Sequence, residues 1–497
     1  MPPPDDALRD LAAADGQAGL AEPLTLVTHQ RACVQLGLDH RCYAFFCGTG
    51  TGKTPLALTL LDRLPKPALV VCPLSIIEPA WAEDAGRFFP DLSTRSLWAP
   101  TPAKRRKLLE VARPADVYLV NPGGFRILAK KHSDWLAAMS FRVAVVDESS
   151  TMKNPTARLT KALLQWAPTV PHRFAMSGTP APNIEYEYWS QMRFVDPALL
   201  DASFFRFQRQ FFYAQVVDPT NRRVVWRWGI TDADKRALMQ LIARRAVWYR
   251  KDDCLDLPPQ VDEVRHVHMG GDQRRAYDAM LRDFVASLSG ADLAAVAETA
   301  GATIDRSDVT MASNKLAQLM RLRQITAGFT ATLDGERRWT WNGKVAEVVA
   351  LLDEIGHDQV IIWTQFHAEM DALVAALARR GGDACVDELS GRVSPAHRPA
   401  IIAKFKRGDT QYLVAHPGCA KWGLTFTNCR YAIYSSLSYS LEEFWQSRDR
   451  IHRYGQGRSC TYFYILCPGI IDVTLHRVLL RKGSVVNAAI DLVREVA

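Results

Sequence analysis

One run, Cys47-Gly48-Thr49-Gly50-Thr51-Gly52-Lys53-Thr54, sets the tightest limit on what this chain can fold into. It follows the apolar stretch Tyr43-Ala44-Phe45-Phe46 and precedes Pro55-Leu56-Ala57-Leu58-Thr59-Leu60-Leu61, so it reads as a turn between a buried strand and a helix with proline near its start. A turn of this composition is built to hold phosphate. Around Gly50, Thr51 and Gly52 the backbone N–H groups can crowd the phosphate oxygens, and the helix N-terminus favours an anion. Lys53 can neutralise charge on the β- and γ-phosphates, and the Thr54 hydroxyl can ligate Mg²⁺. The strict phosphate-loop pattern asks for glycine where Cys47 stands.

At 497 residues the chain exceeds one ordinary domain, and its length is that of roughly two to four. An apolar share of 48% with 23% charged residues belongs to a protein that buries real cores. The formal charge of +8 is a modest excess that fits a polyanion-binding surface without demonstrating one. Ten cysteines form no C-x-x-C pair and have no histidines at zinc-ligand spacing, so they read as reduced thiols in an intracellular protein. The N-terminus lacks the order of a signal peptide and no apolar run is long enough to span a bilayer, which gives a cytoplasmic expectation with no membrane partner. Residues 1–22, rich in Pro, Ala and Asp, read as a flexible end.

Beyond the loop, Ala68-Leu69-Val70-Val71, Val117-Tyr118-Leu119-Val120, Val143-Ala144-Val145-Val146 and Arg173-Phe174-Ala175-Met176 are apolar runs of the kind buried on both faces of a parallel sheet. Helical stretches separate them, which describes a doubly wound α/β lobe with its ligand site at the carboxyl ends of the strands. There Asp147 would hold Mg²⁺ and Glu148 would deprotonate an attacking water, although adjacent acids at a strand end also cap helices. Upstream, Gln30 lies on a short amphipathic helix, where its amide either reads an adenine edge or is simply solvated. Residues 203–230 are aromatic and basic, with Asp218-Pro219-Thr220-Asn221 as a turn between two strands. Trp226 and Trp228, interleaved with arginines, either meet a nucleic acid or pack on the lobe.

Leu257-Pro258-Pro259 resists helix and strand and marks a lobe boundary. Residues 271–330 are helical in pattern, with a loop around 290–312. From Lys344 the α/β rhythm repeats, with strands at Gln359-Val360-Ile361-Ile362-Trp363, Tyr412-Leu413-Val414-Ala415 and Tyr431-Ala432-Ile433-Tyr434, but no second phosphate loop. Arg450 and Arg453 are three apart, so on a helix they share a face from which both can reach a γ-phosphoryl group; a solvated basic helix is the other reading.

Gln30, the 47–54 loop, Val71-Cys72-Pro73 with Trp81, Asp147-Glu148-Ser149-Ser150, Met176-Ser177-Gly178-Thr179-Pro180, Gly418-Cys419-Ala420-Lys421-Trp422-Gly423-Leu424-Thr425 and Gln446-Ser447-Arg448-Asp449-Arg450-Ile451-His452-Arg453-Tyr454-Gly455-Gln456 stand in the order of the superfamily 2 helicase motifs. They resemble most closely the Swi/Snf-type DNA translocases, over about residues 26–480. The resemblance implies two tandem RecA-like lobes, 23–255 and 344–497, with a linker and helical protrusion at 256–343. It implies ATP and Mg²⁺ as cofactors, with Lys53, Glu148, Gln446, Arg450 and Arg453 as catalytic residues. Pro73, Asn121, Ser177, Thr179, Thr364, Gly423 and Thr425 would then serve nucleic-acid contact or coupling. The implied activity is ATP-driven, sequence-independent translocation on double-stranded DNA, directed by a protein partner. A strand-separating or strand-annealing helicase and a non-hydrolysing ATP-dependent clamp are the alternatives. Ser149-Ser150 replaces the family's common Ala-His, and Thr425 stands where many relatives carry Asn; both substitutions bear on coupling and leave the metal and water acids in place.

Overall fold

The structure, a computed structural model, describes residues 24–99, 101–110, 114–182, 184–216, 226–286, 320–331, 337–339, 343–394, 397–422, 424–438 and 440–480. The sequence readings at 1–22, 218–221, 290–312 and Gly423 therefore lie outside the described residues.

The first lobe is a parallel sheet of β1 (Cys42–Cys47), β2 (Ala68–Val71), β3 (Thr94–Ser96), β4 (Val117–Val120), β5 (Val143–Asp147) and β6 (His172–Met176), closed by a later strand after the antiparallel pair β7 (Tyr213–Val216) and β8 (Trp226–Gly229). That later strand is β9 (Ala246–Tyr249), and the order across the sheet is β3-β4-β2-β5-β6-β1-β9. Alternate side chains of one strand feed two separate cores, as a sheet covered on both faces requires. On β1, Tyr43, Phe45 and Cys47 join one core, while Ala44 and Phe46 join the other. The helices α1 (Thr28–His40) and α2 (Lys53–Arg63) cover the first of these faces. In α2, the buried run Leu56-Ala57-Leu58-Thr59-Leu60-Leu61 holds the helix down, each fully buried leucine contributing about 1.5–3 kcal/mol. Pro55 is tolerated because the N–H it lacks belongs to the first turn, where no intrahelical acceptor exists.

The second lobe is a six-stranded parallel sheet. Its strands are β10 (Gln260–His266), then, after the pair β11 (Phe329–Ala331) and β12 (Arg337–Trp339), β13 (Val360–Trp363), β14 (Val386–Leu389), β15 (Tyr412–Ala415), β16 (Tyr431–Tyr434) and β17 (Cys460–Leu466), in the order β10-β17-β16-β13-β15-β14. Ile361 and Trp363 point to one core and Val360 and Ile362 to the other. The segment read as linker thus supplies an edge strand: all of β10 pairs with β17. The protrusion follows that strand, with the helix Gly271–Ala286 and residues 320–326 packing Tyr277, Leu322 and Ile325 on Cys467 and Ile470 of the second lobe.

A buried polar network ties the protrusion to this lobe. Lys344 Nζ donates to Asp472 Oδ2 at 2.6 Å and to the Ser435 carbonyl at 3.1 Å, and Thr326 Oγ1 donates to Asp472 Oδ1 at 2.9 Å. Nearby, Thr364, Ser435 and Ser436 all donate to the fully buried Glu369. All ten cysteines are free thiols. Among the described residues, no helix is long and apolar enough to cross a membrane.

Candidate active site

The carboxyl end of β1 turns directly into the glycine-rich loop. Gly48 N donates to Tyr249 O of β9 at 2.9 Å, and the Thr51 hydroxyl donates to Gly48 O at 2.7 Å, closing the curl. Gly50 and Gly52 have φ of +80° and +78°, a backbone that L side chains rarely adopt. At Gly52 a Cβ would also collide with Gln30 Nε2. Lys53 Nζ sits inside the curl, donating to the carbonyls of Cys47 (3.1 Å) and Gly48 (3.2 Å). As the first two residues of α2, Lys53 and Thr54 present N–H groups that no helix carbonyl can reach, which is the donor set a phosphate needs.

Gln30 holds the loop from behind. Its amide nitrogen donates to Thr51 O (3.1 Å) and Gly52 O (3.2 Å), while its Oε1 accepts from Val27 N at 3.0 Å. The neighbouring His29 Nε2 adds a 2.9 Å bond to Thr51 O, which fixes the proton on Nε2 because a carbonyl only accepts. The solvated-helix reading of Gln30 is therefore corrected: it is buried and bonded to the loop.

The two acids lie at the end of β5. Asp147 Oδ2 accepts from Trp81 Nε1 at 3.1 Å, and its Oδ1 accepts from Glu148 N at 3.0 Å. Burial pushes the Asp147 carboxyl up, against the attraction of Lys53. Glu148 has φ 54° and ψ 58°, a left-handed conformation costly for a residue with a side chain and found where function over-determines geometry. Its Oε2 is buried without a hydrogen-bond partner. Burial raises its pKa to about 7, with Asp147 and Glu442 adding to the shift and Lys53 and Arg450 opposing it. That value suits a base working near neutral pH. The capping alternative fails for Glu148, since no side-chain bond from it closes the short helix that follows.

From the other lobe, α3 (Leu441–Arg448) begins at Ser440, whose side chain accepts from Glu443 N, and carries the buried Gln446. Gln446 Nε2 donates to Glu442 Oε1 at 3.3 Å, and its Oε1 is buried and unpartnered. The sequence placed Arg450 and Arg453 on one helical face. Instead the helix stops at Arg448, and the two arginines converge from the turn that follows. Both donate to the Leu424 carbonyl, Arg450 Nη1 at 2.8 Å and Arg453 Nη1 at 3.1 Å; Arg453 also donates to Thr425 Oγ1 at 3.0 Å. A Cβ on Gly50 would stand 3.4 Å from Arg453 Cγ and Nε, so this guanidinium stem lies across the first-lobe loop. Burial and the proximity of Arg453 lower the Arg450 pKa to about 9, against the pull of Asp449 and Glu148. Neither arginine is in an ion pair among the described residues.

The expected coupling residues divide. Pro73 precedes a short 3₁₀ turn at the end of β2, and Leu74 beside it is exposed. Other side chains have partners within their own lobe. Asn121 Oδ1 accepts from Gly124 N at 3.1 Å and caps a helix, so its amide oxygen is spent locally. Ser177 is fully buried and accepts from Thr179 N at 3.1 Å, with Thr179 itself buried. Thr364 is fully buried and donates to Glu369. Trp228 is half-buried against the first-lobe core, which favours packing; the Trp226 side chain and Gly423 lie outside the described residues.

Two residues went unread in the sequence. Gln191 is fully buried, accepting from Ser149 Oγ at 2.6 Å and donating to the carbonyls of Pro180 (2.6 Å) and Glu187 (3.0 Å). It bridges the acidic strand end to the Ser177–Pro180 turn, whose Gly178 abuts the phosphate loop at Thr49. Lys251 reaches across the lobes to Asp449. Only their folded neighbourhood identifies either one.

Residues 15–328 match the model of the SNF2-related domain, and residues 343–455 match that of the helicase conserved C-terminal domain. The chain belongs to the SNF2-related family. It is 23% identical over 447 residues to the SWI/SNF-related matrix-associated actin-dependent regulator of chromatin subfamily A-like protein 1 of Xenopus tropicalis, covering 88% of this chain and 42% of that protein. It is also 23% identical over 447 residues to the mouse DNA annealing helicase and endonuclease ZRANB3, covering 89% of this chain and 38% of that one. The chain thus spans less than half the length of either relative. A solved Sulfolobus solfataricus SWI2/SNF2 ATPase core in complex with dsDNA superposes with a TM-score of 0.42 at 20% identity, covering 94% of this chain and 93% of that one.

The SNF2-related assignment fits the motif order read from the sequence. A nucleotide with its metal also fits the residues present. Thr54 and Asp147 offer the hard oxygen ligands Mg²⁺ prefers, and the buried Glu148 Oε2 has no hydrogen-bond partner, which leaves it able to accept from a water. No cluster of three or more His, Cys, Asp or Glu that could hold a metal occurs among the described residues, so such an ion would complete its shell with phosphate and water.

Proposed function

We propose that the chain is a nucleic-acid-stimulated ATPase that uses hydrolysis in the cleft between its lobes to translocate along double-stranded DNA. One observation carries the ATPase reading. Glu148, half-buried and strained, with one buried carboxylate oxygen free, lies within electrostatic reach of the buried Arg450 of the opposite lobe, and Arg450 and the half-buried Arg453 are held by a backbone carbonyl rather than by carboxylates.

In this reading the loop N–H groups and Lys53 hold the β- and γ-phosphates. Mg²⁺ at Thr54 and Asp147 supplies charge neutralisation on those oxygens when bound. Glu148 orients a water and takes its proton as the water oxygen bonds to the γ-phosphorus; the bond from that phosphorus to the β-bridging oxygen breaks, releasing ADP and phosphate. Arg450 and Arg453 stabilise the charge that spreads over the transferring group, and Gln446 offers its unpartnered carbonyl to the water. Because Arg453 and the loop belong to different lobes, closing the site on nucleotide brings the lobes together and release lets them part.

Support for DNA as the track comes from the family, from the DNA annealing for which the mouse relative is named and from the net charge of +8. Strand annealing is the second reading, carried by that same relative. We further propose an intracellular site of action and a protein partner that assigns the task.

The test is the ATPase rate without nucleic acid and with single-stranded DNA, double-stranded DNA or RNA. Double-stranded DNA should stimulate most. Lys53→Ala should abolish turnover, and Arg450→Ala should spare ATP binding while lowering kcat by about 10³-fold or more. Near-normal turnover in either variant would remove its residue from the site.

A further inference from the structure

The segment joining the lobes does more than connect them. Lys251 lies two residues beyond the end of β9, and its backbone nitrogen would lie 3.1 Å from a Cβ placed on Gly48, so its main chain rests against the first glycine of the phosphate loop. Its side chain points the other way. Lys251 Nζ pairs with Asp449 and donates to the carbonyl of His452, two second-lobe residues that bracket Arg450 and precede Arg453. The pair is nearly enclosed, with side chains 10% and 11% exposed.

The same turn is fastened to the connector at further points. His452 Nε2 donates to Pro258 O at 2.7 Å, and its Nδ1 accepts from Gln260 Nε2 at 2.9 Å, a bonding pattern that requires the neutral ring. Arg448 Nη2 donates to Gln260 Oε1 at 3.0 Å and to Asp262 Oδ2 at 3.1 Å. Residues 448–452 are therefore held by residues 251–262 as well as by their own lobe.

We propose that Lys251 is a positioning residue: by occupying Asp449 it keeps Arg450 and Arg453 available for phosphate, and by contacting the phosphate loop it holds them in register with the nucleotide. The chemistry is one of competition. Asp449 is next in sequence to Arg450, and carboxylate–guanidinium pairs are strong, often bidentate bonds. A buried Asp449 deprived of its lysine has every reason to take an arginine instead, since a lone buried carboxylate is strongly unfavourable. An arginine so taken is lost to the γ-phosphate. The lysine prevents this with a point charge whose flexible stem crosses the lobe boundary.

This inference rests on the ATPase reading, and the experiment separates the two. DNA-stimulated kcat and the affinity for a fluorescent ATP analogue are measured for wild type, Lys251→Met, Lys251→Arg and the double variant Lys251→Met/Asp449→Asn. Lys251→Met should lower kcat by about 20-fold or more while moving analogue affinity by less than about threefold. Lys251→Arg should recover most of the rate. The double variant should turn over faster than Lys251→Met alone, because a neutral amide in place of the carboxylate no longer competes for the arginines; a merely structural lysine would make the second change add to the loss. A Lys251→Met kcat within about twofold of wild type, analogue affinity falling in parallel with kcat, or a double variant slower than the single one would each overturn the proposal. If Lys251→Met does not fold, Lys251→Arg and the double variant decide it by the same comparison with wild type. A wild-type protein inert with every nucleic acid would overturn the ATPase reading and this one together.

Discussion

Glu148 concentrates the site's chemistry in a single side chain, and its titration has two measurable consequences. A carboxyl with a pKa of about 7 is protonated below that pH and cannot accept a proton from water. kcat should therefore rise with pH through about 7 and level off above it, read from a pH–rate profile with saturating ATP and DNA. The stability effect has the opposite sign. Below the ordinary value of 4.5 the carboxyl is neutral in both folded and unfolded chains; as pH rises through about 7 the folded protein must ionise a buried group, and stability contributed by the proton is lost. Glu148→Gln should accordingly raise Tm at pH 8 by a few degrees, a gain that disappears as pH falls toward 4.5, while hydrolysis is lost at every pH. A Tm difference independent of pH would show that burial does not set this group's charge.

At the scale of elements, what the sequence revealed was what is contiguous. The 47–54 loop and Asp147-Glu148 were legible because their chemistry is written in neighbouring residues, and the buried strands β2, β4 and β13 because they are unbroken apolar runs. Gln191 and Lys251 were illegible, since Ser149 lies 42 positions from the first and Asp449 lies 198 from the second. The shared helical face for Arg450 and Arg453 failed for a local reason: helix α3 ends at Arg448, and a common acceptor at Leu424, rather than helical spacing, brings them together. Thr364 was legible as a strand-end residue but not as a partner of Glu369, to which its hydroxyl donates inside the second lobe. In that same interior, Lys344 and Asp472 hold the protrusion to the sheet. Lys344→Met leaves the Asp472 carboxylate buried without its cation, which should cost about 3–5 kcal/mol. Chemical denaturation should show the second-lobe transition moving to lower urea while the first-lobe transition holds; coincident loss in both lobes would mean that they unfold as one unit.

For the whole molecule, the proposed translocation requires the lobes to move. Motion along a duplex should depend on phosphate contacts, so log affinity for DNA should fall linearly with log salt, by about 0.9 per contact, with little dependence on base sequence. A translocase should displace a third strand from a triplex in an ATP-dependent manner without opening a fork. Fork opening as its sole activity would favour the strand-separating reading instead.

The edge strand β10 puts a length on that motion. Residues 250–259 are the only chain between β9, locked in one sheet, and β10, hydrogen-bonded along its whole length in the other. Fully stretched, the eleven Cα–Cα steps from Tyr249 to Gln260 reach no more than about 40 Å. Any wider separation of the two strand ends must unzip a ladder, so the distance by which the two sheets can part here has a ceiling set by ten residues of chain.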